Sequence, residues 1–448
     1  MTQIAFLTLF LGLTLGPQPM ELTVTGPVAV VEILLDGAPV ARFEEPPWSG
    51  RIDFGPALLP HELVARALDD QGTEISRVRQ WVNLPRAPAE VEILFEQAPG
   101  GRRVAGQLIW RSRTGENPSA MAVTFDGEPL IPDAQGRIVL PPHDPETVHV
   151  LSAELRFSGS LVARKDVAFG GELGDEVSTE LTAVPVRLRK GQRLPPPEQM
   201  RGWFLSGGRP LPVAAVEEGP AELFVVRDLT AWEELRNLET EGKSRSVLSE
   251  VQRNPQYRRF LLMLGKEDTV RFVWPVARSV TSAGLPAELF DMSRDLGSGD
   301  GGLLWFLSHL LPRVDNPGKQ RLTDAVAVGG LQALYGNRRR AVLLVLGERP
   351  VDVSRSDPAL VRRYLESIRV PFFVWTLGDP AVSGAAWGGG TEVSSLVKMR
   401  KAFARLEKDL EAQRIVWLNG RHLPQSIELS PAVAAVLAPV PEPVEGRP

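Results

Sequence analysis

Ala341-Val-Leu-Leu-Val-Leu-Gly347 and Pro371-Phe-Phe-Val-Trp-Thr-Leu-Gly378 are short apolar runs without polar interruption, each closed by a glycine. Runs of this length that do not alternate suit strands covered on both faces, as in the parallel sheet of an α/β domain. Both are expected to be central strands. Between them, Ser356-Asp357-Pro358 offers a helix cap with proline at the first helical position, and Val361, Tyr364, Leu365 and Ile368 recur at helical spacing. A strand, helix, strand unit of this kind crosses over right-handed. The loops after both strands then emerge at one edge of the sheet, where open α/β folds bind ligands.

Moving outward from this unit, the same alternation of strands and helices extends back to about residue 198. Ala221-Glu-Leu-Phe-Val-Val226 reads as a buried strand, and Ala231 to Asn254 as a charged helix. Asp268 to Trp274 reads as a second strand, stopped by Pro275. Leu303 to Leu311 is apolar all round, as a buried helix would be. Leu322 to Tyr335 is rich in Ala and Gly, which lets a helix lie close on a sheet. Val393 to Ile415 reads as a final helix, whose stripe of Leu396, Met399, Phe403, Leu406 and Leu410 is expected to face the core.

The front of the chain has a different character. Val30-Val-Glu-Ile-Leu-Leu35 runs into Asp36-Gly37, a hairpin signal answered by Pro39 to Phe43. Further short strands follow as far as Val82. After the linker Leu84-Pro-Arg-Ala-Pro88, candidate strands recur from Glu90 to Leu188, with turns at Asp126-Gly127 and Asp133 to Gly136. The expected organisation is a signal peptide at 1–19, β-sandwiches at 20–86 and 87–190, an α/β domain at 191–429 and a disordered Pro-rich tail at 430–448. Export rests on the apolar run from Ile4 to Leu15, which has about the length of a signal-peptide core and is too short for a membrane span. Against it stand the missing basic n-region and the alternative of a buried first strand.

Composition narrows the function classes. A chain of 448 residues needs several cores. Its net charge of -5 gives no electrostatic case for nucleic acid or an anionic membrane. With no cysteine there is no thiolate nucleophile and no cysteine zinc site. The five histidines are scattered without a zinc spacing. No Gly-x-Ser-x-Gly elbow or phosphate-binding Gly-x-x-x-x-Gly-Lys loop occurs.

Two resemblances carry the functional reading. Val31-Glu-Ile-Leu-Leu-Asp-Gly-Ala-Pro-Val-Ala41, Pro46-Pro-Trp48 and Ala65-Arg-Ala-Leu-Asp69 resemble a bacterial Ig-like module, which implies a spacer or adhesive role. Leu223-Phe-Val-Val-Arg-Asp228 through Trp232, Leu322-Thr-Asp-Ala325 and Val342 to Glu348 resemble a von Willebrand factor A-like domain, most nearly the VWFA-related acidobacterial group. The likeness runs from about Ala221 to Gly378, and more loosely to Leu429. It implies a Rossmann-like fold with a mostly parallel sheet, behind two Ig-like sandwiches.

Metal-binding members of that family hold a divalent cation through Asp-x-Ser-x-Ser after the first strand, a threonine before a later helix and an aspartate ending a later strand. Here Asp228 matches the first position and Thr230 can replace the first serine, but Trp232 stands where the second hydroxyl belongs. Gln320 falls at the threonine position with Thr323 close by, and the later strand ends in Leu346-Gly347-Glu348. An indole cannot coordinate a cation, and too few hard oxygen ligands remain to offset dehydration of Mg²⁺. No cofactor is therefore expected. Any Mg²⁺ or Ca²⁺ would fall to Asp228 and Thr230, and the plainer role for Asp228 is a helix cap.

The expectation is an exported, non-enzymatic protein that binds a protein partner through Asp228, Thr230, Trp232 and Glu348. The alternatives are an envelope-assembly factor acting through its Ig-like modules and, more remotely, a hydrolase using Asp291, Asp295 and Asp300. That last loop resembles a calcium loop, but Leu296 stands where the EF-hand pattern needs glycine, and a solvated turn is expected. Gly388-Gly-Gly390 reads as a flexible connection and Arg338-Arg-Arg340 as a solvated rim.

Overall fold

The computed structural model describes residues 3–8, 10, 12–85, 89–97, 103–112, 117–133, 135–147, 149–157, 162–170, 177–178, 181–243, 262–282, 285–313 and 316–441. The chain divides into two compact units, one of residues 86–182 with 419–421 and the other of the rest.

At the centre of the larger unit is the expected α/β domain. Its elements in chain order are β1 (Ala221–Arg227), α1 (Trp232–Lys243), β2 (Thr269–Ser282), β3 (Leu285–Met292), α2 (Leu303–His309), α3 (Leu322–Ala333), β4 (Arg339–Leu346), α4 (Pro358–Ser367), β5 (Phe372–Thr376), β6 (Thr391–Glu392) and α5 (Leu396–Ala412). The strands lie in the order β3-β2-β1-β4-β5-β6. All neighbours are parallel except β2 and β3.

Every residue of β1 and β4 is buried, because both sheet faces are covered. Leu223, Val225, Leu343 and Val345 pack with α1, α2 and α5 on one side. Phe224, Val226, Val342 and Leu344 pack with α3 and α4 on the other. This double cover is what removes alternation from the sequence. Asp357 caps α4 by accepting the Ala359 N–H at 2.8 Å, with Pro358 at the first helical position. Gly330 lets α3 approach α4, since a Cβ there would sit 2.2 Å from the Leu365 Cδ2.

Several expectations are revised. Pro275 does not end its strand: β2 continues to Ser282 and folds back as β3, with a register shift between Val273 and Ala277. Proline is tolerated where a bulge interrupts the ladder. Leu181–Leu188 and Leu437–Pro439, assigned from sequence to the second sandwich and to a disordered tail, pair with each other. They join Val213–Glu217 and Gln413–Asn419 in a four-stranded sheet. With the small sheet Arg209–Leu211, Phe204–Ser206, Ile427–Leu429, this forms a third β layer around Val186, Met200, Phe204 and Leu418. Chain segments on both sides of the α/β domain build it. The rest of the expected tail, 442–448, lies outside the described residues, as do 244–254 of the expected helix after Asp228.

The first β-sandwich sets Gln3–Phe6, Pro17–Thr25 and Ser49–Asp53 against a sheet of Ala38–Phe43, Val30–Leu35, His61–Leu68 and Glu74–Val82. The apolar run read as an export signal contributes its first strand, and Ile4, Phe6 and Phe10 are buried in the core with Val31, Ile33 and Leu63. This sandwich also packs on the α/β domain. Leu58 joins the core of the α3 and α4 face, and the Tyr364 hydroxyl donates to the Asn83 carbonyl at 2.9 Å. The smaller unit is a second sandwich, with sheets of five and three strands around Ile93, Leu108, Val123, Leu151 and Val167.

Candidate functional site

β1 ends by delivering Asp228 to the C-terminal edge of the sheet, where its N–H donates to the Val345 carbonyl of β4 at 2.8 Å. The side chain is fully buried. Oδ1 accepts the Thr230 N–H at 2.9 Å, the Thr230 hydroxyl at 2.8 Å and the Gln320 Nε2 at 2.7 Å. Oδ2 accepts the Gly347 N–H at 3.1 Å. Asp228 thereby caps the short 3-10 turn Leu229–Ala231 and ties together the ends of β1 and β4 and the segment before α3. Gly347 suits this closeness, since a Cβ would stand 3.1 Å from the Thr230 hydroxyl and 3.3 Å from Asp228 Oδ2 and the neighbours would have to give by a few tenths of an ångström.

Gln320, the residue beside Asp228, is itself fully buried. Its Nε2 faces Asp228 while its Oε1 accepts the Leu229 N–H at 2.9 Å. The amide thus points a donor at the carboxylate where a cation would need an oxygen. Thr323 is turned elsewhere: its hydroxyl donates to Asp352 at 2.6 Å, and Asp352 also accepts the N–H groups of Leu322 and Thr323 at the start of α3. The donors around Asp228 do not fit a divalent ion. Among the described residues no group of three or more histidine, aspartate or glutamate side chains is placed to hold one.

Trp232 begins α1 half-buried. Its indole N–H donates to the Ser308 carbonyl of α2 at 2.8 Å, and the Arg236 guanidinium lies 5.0 Å over the ring. Glu348 is exposed just beyond β4. Between them Glu234 has its carboxyl pushed up by burial, then by the charges of Glu348 and Asp228, and its Oε2 meets no partner among the described residues. Asp228, Thr230, Trp232 and Glu348 therefore do gather at one edge. Thr230 and Glu348 face solvent, Trp232 is half in and Asp228 is structural. Farther along α2, Trp305 is 38% exposed and stacks on His309 at 5.0 Å.

The acidic loop after β3 is an arginine-paired rim. Arg278 holds Asp291, Arg271 holds Asp295 and Arg294 holds Asp300, each at 2.5 Å. The Arg338-Arg-Arg340 run is not a solvated rim, because Arg339 and Arg340 are only 9% and 2% exposed at the start of β4. A cavity of about 380 Å³ opens at that opposite edge of the sheet, lined by Glu218, Asp268, Arg339 and Glu411 among others. It is remote from Asp228.

Reasoning from sequence did not single out Asp352 and Asp324, which hold the α3 start to the loop after β4. Asp324 accepts the Arg355 and Ser356 N–H groups at 3.0 and 3.1 Å. The Asp352-x-Ser354 spacing, a side-chain turn signal, was the available clue.

No family model matches this chain, and no curated protein matches it. Among solved structures, fibronectin(III)-like modules of Clostridium thermocellum CbhA are 16% identical over 38% of this chain and 93% of theirs, with a TM-score of 0.16. The central fibronectin-III array of RIM-binding protein is 11% identical over 44% of this chain and 82% of its own, at 0.24. The human COPII-coat protein Sec24c is 12% identical over 46% of this chain and 40% of its own, also at 0.24. Likeness of this size carries no argument about function.

Proposed function

We propose that this chain is a non-enzymatic binding protein, exported, whose α/β domain is a degenerate von Willebrand A-like domain that engages a protein partner without a metal ion. The observation that supports the metal-free part is the fully buried Asp228 carboxylate, which accepts four protein hydrogen bonds, three on Oδ1 and one on Oδ2. The binding face on this reading is the open C-terminal edge, where Thr230 and Glu348 are exposed and Trp232 is stacked by Arg236. Open α/β sheets present their binding loops there, and tryptophan and arginine dominate interface energetics. The first sandwich acts as a rigid brace rather than a free spacer, since Leu58 and Asn83 are built into the α/β domain.

The test leaves Asp228 untouched. Glu348→Arg reverses the charge at the exposed part of the edge, adds no burial and disturbs none of the donors to Asp228. Retention of partners from a cell-envelope extract is measured beside wild type, with melting midpoints as the folding control. The reading expects partners to be lost at an unchanged midpoint. Unchanged retention would remove the edge as the binding face and leave the Ig-like modules as the contact surface. The export part is tested separately by fractionating cells and asking whether the protein is recovered from the cell envelope or medium rather than the cytosol.

A further inference from the structure

The two sandwiches repeat one device and finish it differently. In each, an Asp-Gly turn with both residues at positive φ (51° and 82° at Asp36-Gly37, 50° and 87° at Asp126-Gly127) turns a carboxylate toward a histidine that opens a later strand. One oxygen accepts the next backbone N–H, from Glu62 at 2.8 Å or Val150 at 2.7 Å. The other stands 2.7 Å from His61 Nδ1 or 2.6 Å from His149 Nδ1.

The difference lies at Nε2. In the first sandwich His61 Nε2 is buried with no partner among the described residues. In the second, His149 Nε2 is 2.8 Å from the Asp144 carbonyl oxygen, a group that can only accept. The Thr147 hydroxyl, also 2.8 Å away, gives its own proton to that same carbonyl at 3.0 Å. A neutral imidazole carries one N–H and would turn a lone pair toward an oxygen at one end or the other.

We propose that His149 is held as a doubly protonated imidazolium in the pH range where an ordinary histidine loses its proton. There it latches the Asp126-Gly127 turn to the Asp144 to Thr147 loop, and deprotonation releases that loop. His61 makes the Asp36 bond alone, with no partner at Nε2 among the described residues.

The groups facing the ring agree with this. Asp126 faces it from the turn, and Asp144 and Thr147 from the loop. The His143 ring stands edge-on at 5.0 Å, Phe125 stacks at 5.2 Å, and Phe169 lies at 6.1 Å with the Arg103 guanidinium 4.8 Å over its ring. Burial alone would lower His149, but the bonds to Asp126 and the Asp144 carbonyl and the two carboxylate charges lift it above its ordinary value. Asp126 ends below the usual carboxylate range despite its own burial, through its bonds to His149 and the Val150 N–H. The sign follows. A histidine raised on folding contributes stability in full below the unfolded value of about 6.5 and loses it as pH rises through the folded value.

The experiment is a histidine ring titration by NMR on the full chain, with the His149 signal identified by its loss in His149→Gln. The expected result is that His149 titrates above about 6.5, with both ring nitrogens protonated below its midpoint. The Thr147 and Val150 amides should exchange faster above that midpoint by more than the base-catalysed tenfold per pH unit. Asp126→Asn should lower the midpoint. A His149 that titrates at or below the ordinary value, or that keeps a bare nitrogen throughout, overturns the proposal. So does a midpoint that Asp126→Asn does not move. Should Asp126→Asn fail to fold, the wild-type titration decides.

Discussion

Among the buried charges of the central sheet, Asp228 at the C-terminal edge and Arg340 at the N-terminal edge differ in how they are met. The carboxylate accepts four hydrogen bonds, and two guanidinium nitrogens have no partner among the described residues. At the C-terminal edge Asp228, with no exposed surface, is held by two backbone N–H groups, a hydroxyl and an amide. At the N-terminal edge Arg340, 2% exposed, has Nε and Nη1 without partners among the described residues. Burial, then repulsion from Arg369, pulls its pKa down to about 9, with Glu222 pulling weakly the other way. Fixed dipoles can replace water around one buried charge, while a like charge beside another adds to its desolvation cost. Removing the side chain should therefore have opposite signs at the two ends.

The largest effect is expected from Asp228→Ala. It leaves the Gln320 amide and the Gly347 N–H buried without acceptors and frees the turn that starts α1. Unsatisfied buried donors cost about 1–3 kcal/mol each, so denaturant unfolding should show a loss of about 3 kcal/mol. A loss under about 1 kcal/mol would mean that water replaces the carboxylate, and the comparison would fail at its satisfied end.

Next comes Arg340→Met, which keeps volume and discards a buried charge whose Nε and Nη1 have no partner among the described residues. A gain of about 1–3 kcal/mol is expected, on the scale seen when buried ions give way to apolar side chains. The pH dependence sharpens the test. A base depressed on folding binds fewer protons folded than unfolded between about 9 and its ordinary value, so wild-type stability rises there. The advantage of Arg340→Met should accordingly shrink between pH 8 and 10. An advantage that stays constant, or a variant less stable than wild type, would show that Arg340 has a compensating partner.

A smaller loss is expected from Asp352→Ala. Asp352 gathers a comparable ring of donors, the Leu322 and Thr323 N–H groups and the Thr323 hydroxyl, but it is exposed. Water can replace it, so the loss should be that of a helix cap, about 1 kcal/mol. Equal losses at Asp352 and Asp228 would show that burial is not what separates them.

What could be read from sequence follows the range of the interactions. β4, β5 and the Asp357-Pro358 start of α4 were legible because two-sided burial and capping leave local marks. The third β layer was not. Its strands are as short as three residues, and Val186 pairs with Pro439 from the far end of the chain. At the site, Asp228 was legible as a cap residue. Its bond to Gln320, 92 positions away, was not, because an amide can present either an oxygen or an N–H and only the fold selects which. The Arg338 to Arg340 run was misread for a related reason: a charged triplet leaves no local sign of being the buried start of a central strand.

The smallest expected effect is the most discriminating one for the functional reading. Adding Mg²⁺ to the wild-type chain should leave the melting midpoint in place. A ligand that binds only the folded form raises the midpoint by mass action, so binding at millimolar strength would register at higher concentration. For Asp228 to coordinate, a cation would have to reach a side chain with no exposed surface and sit beside the Gln320 amide and the Gly347 N–H, donors that repel it. Trp232 offers no oxygen in exchange, since its indole N–H is committed to the Ser308 carbonyl. A midpoint that climbs and saturates with Mg²⁺, and no longer does so in Asp228→Ala, would show the edge opening to admit a cation. The two ends of the sheet would then differ in ligand occupancy rather than in how their charges are satisfied.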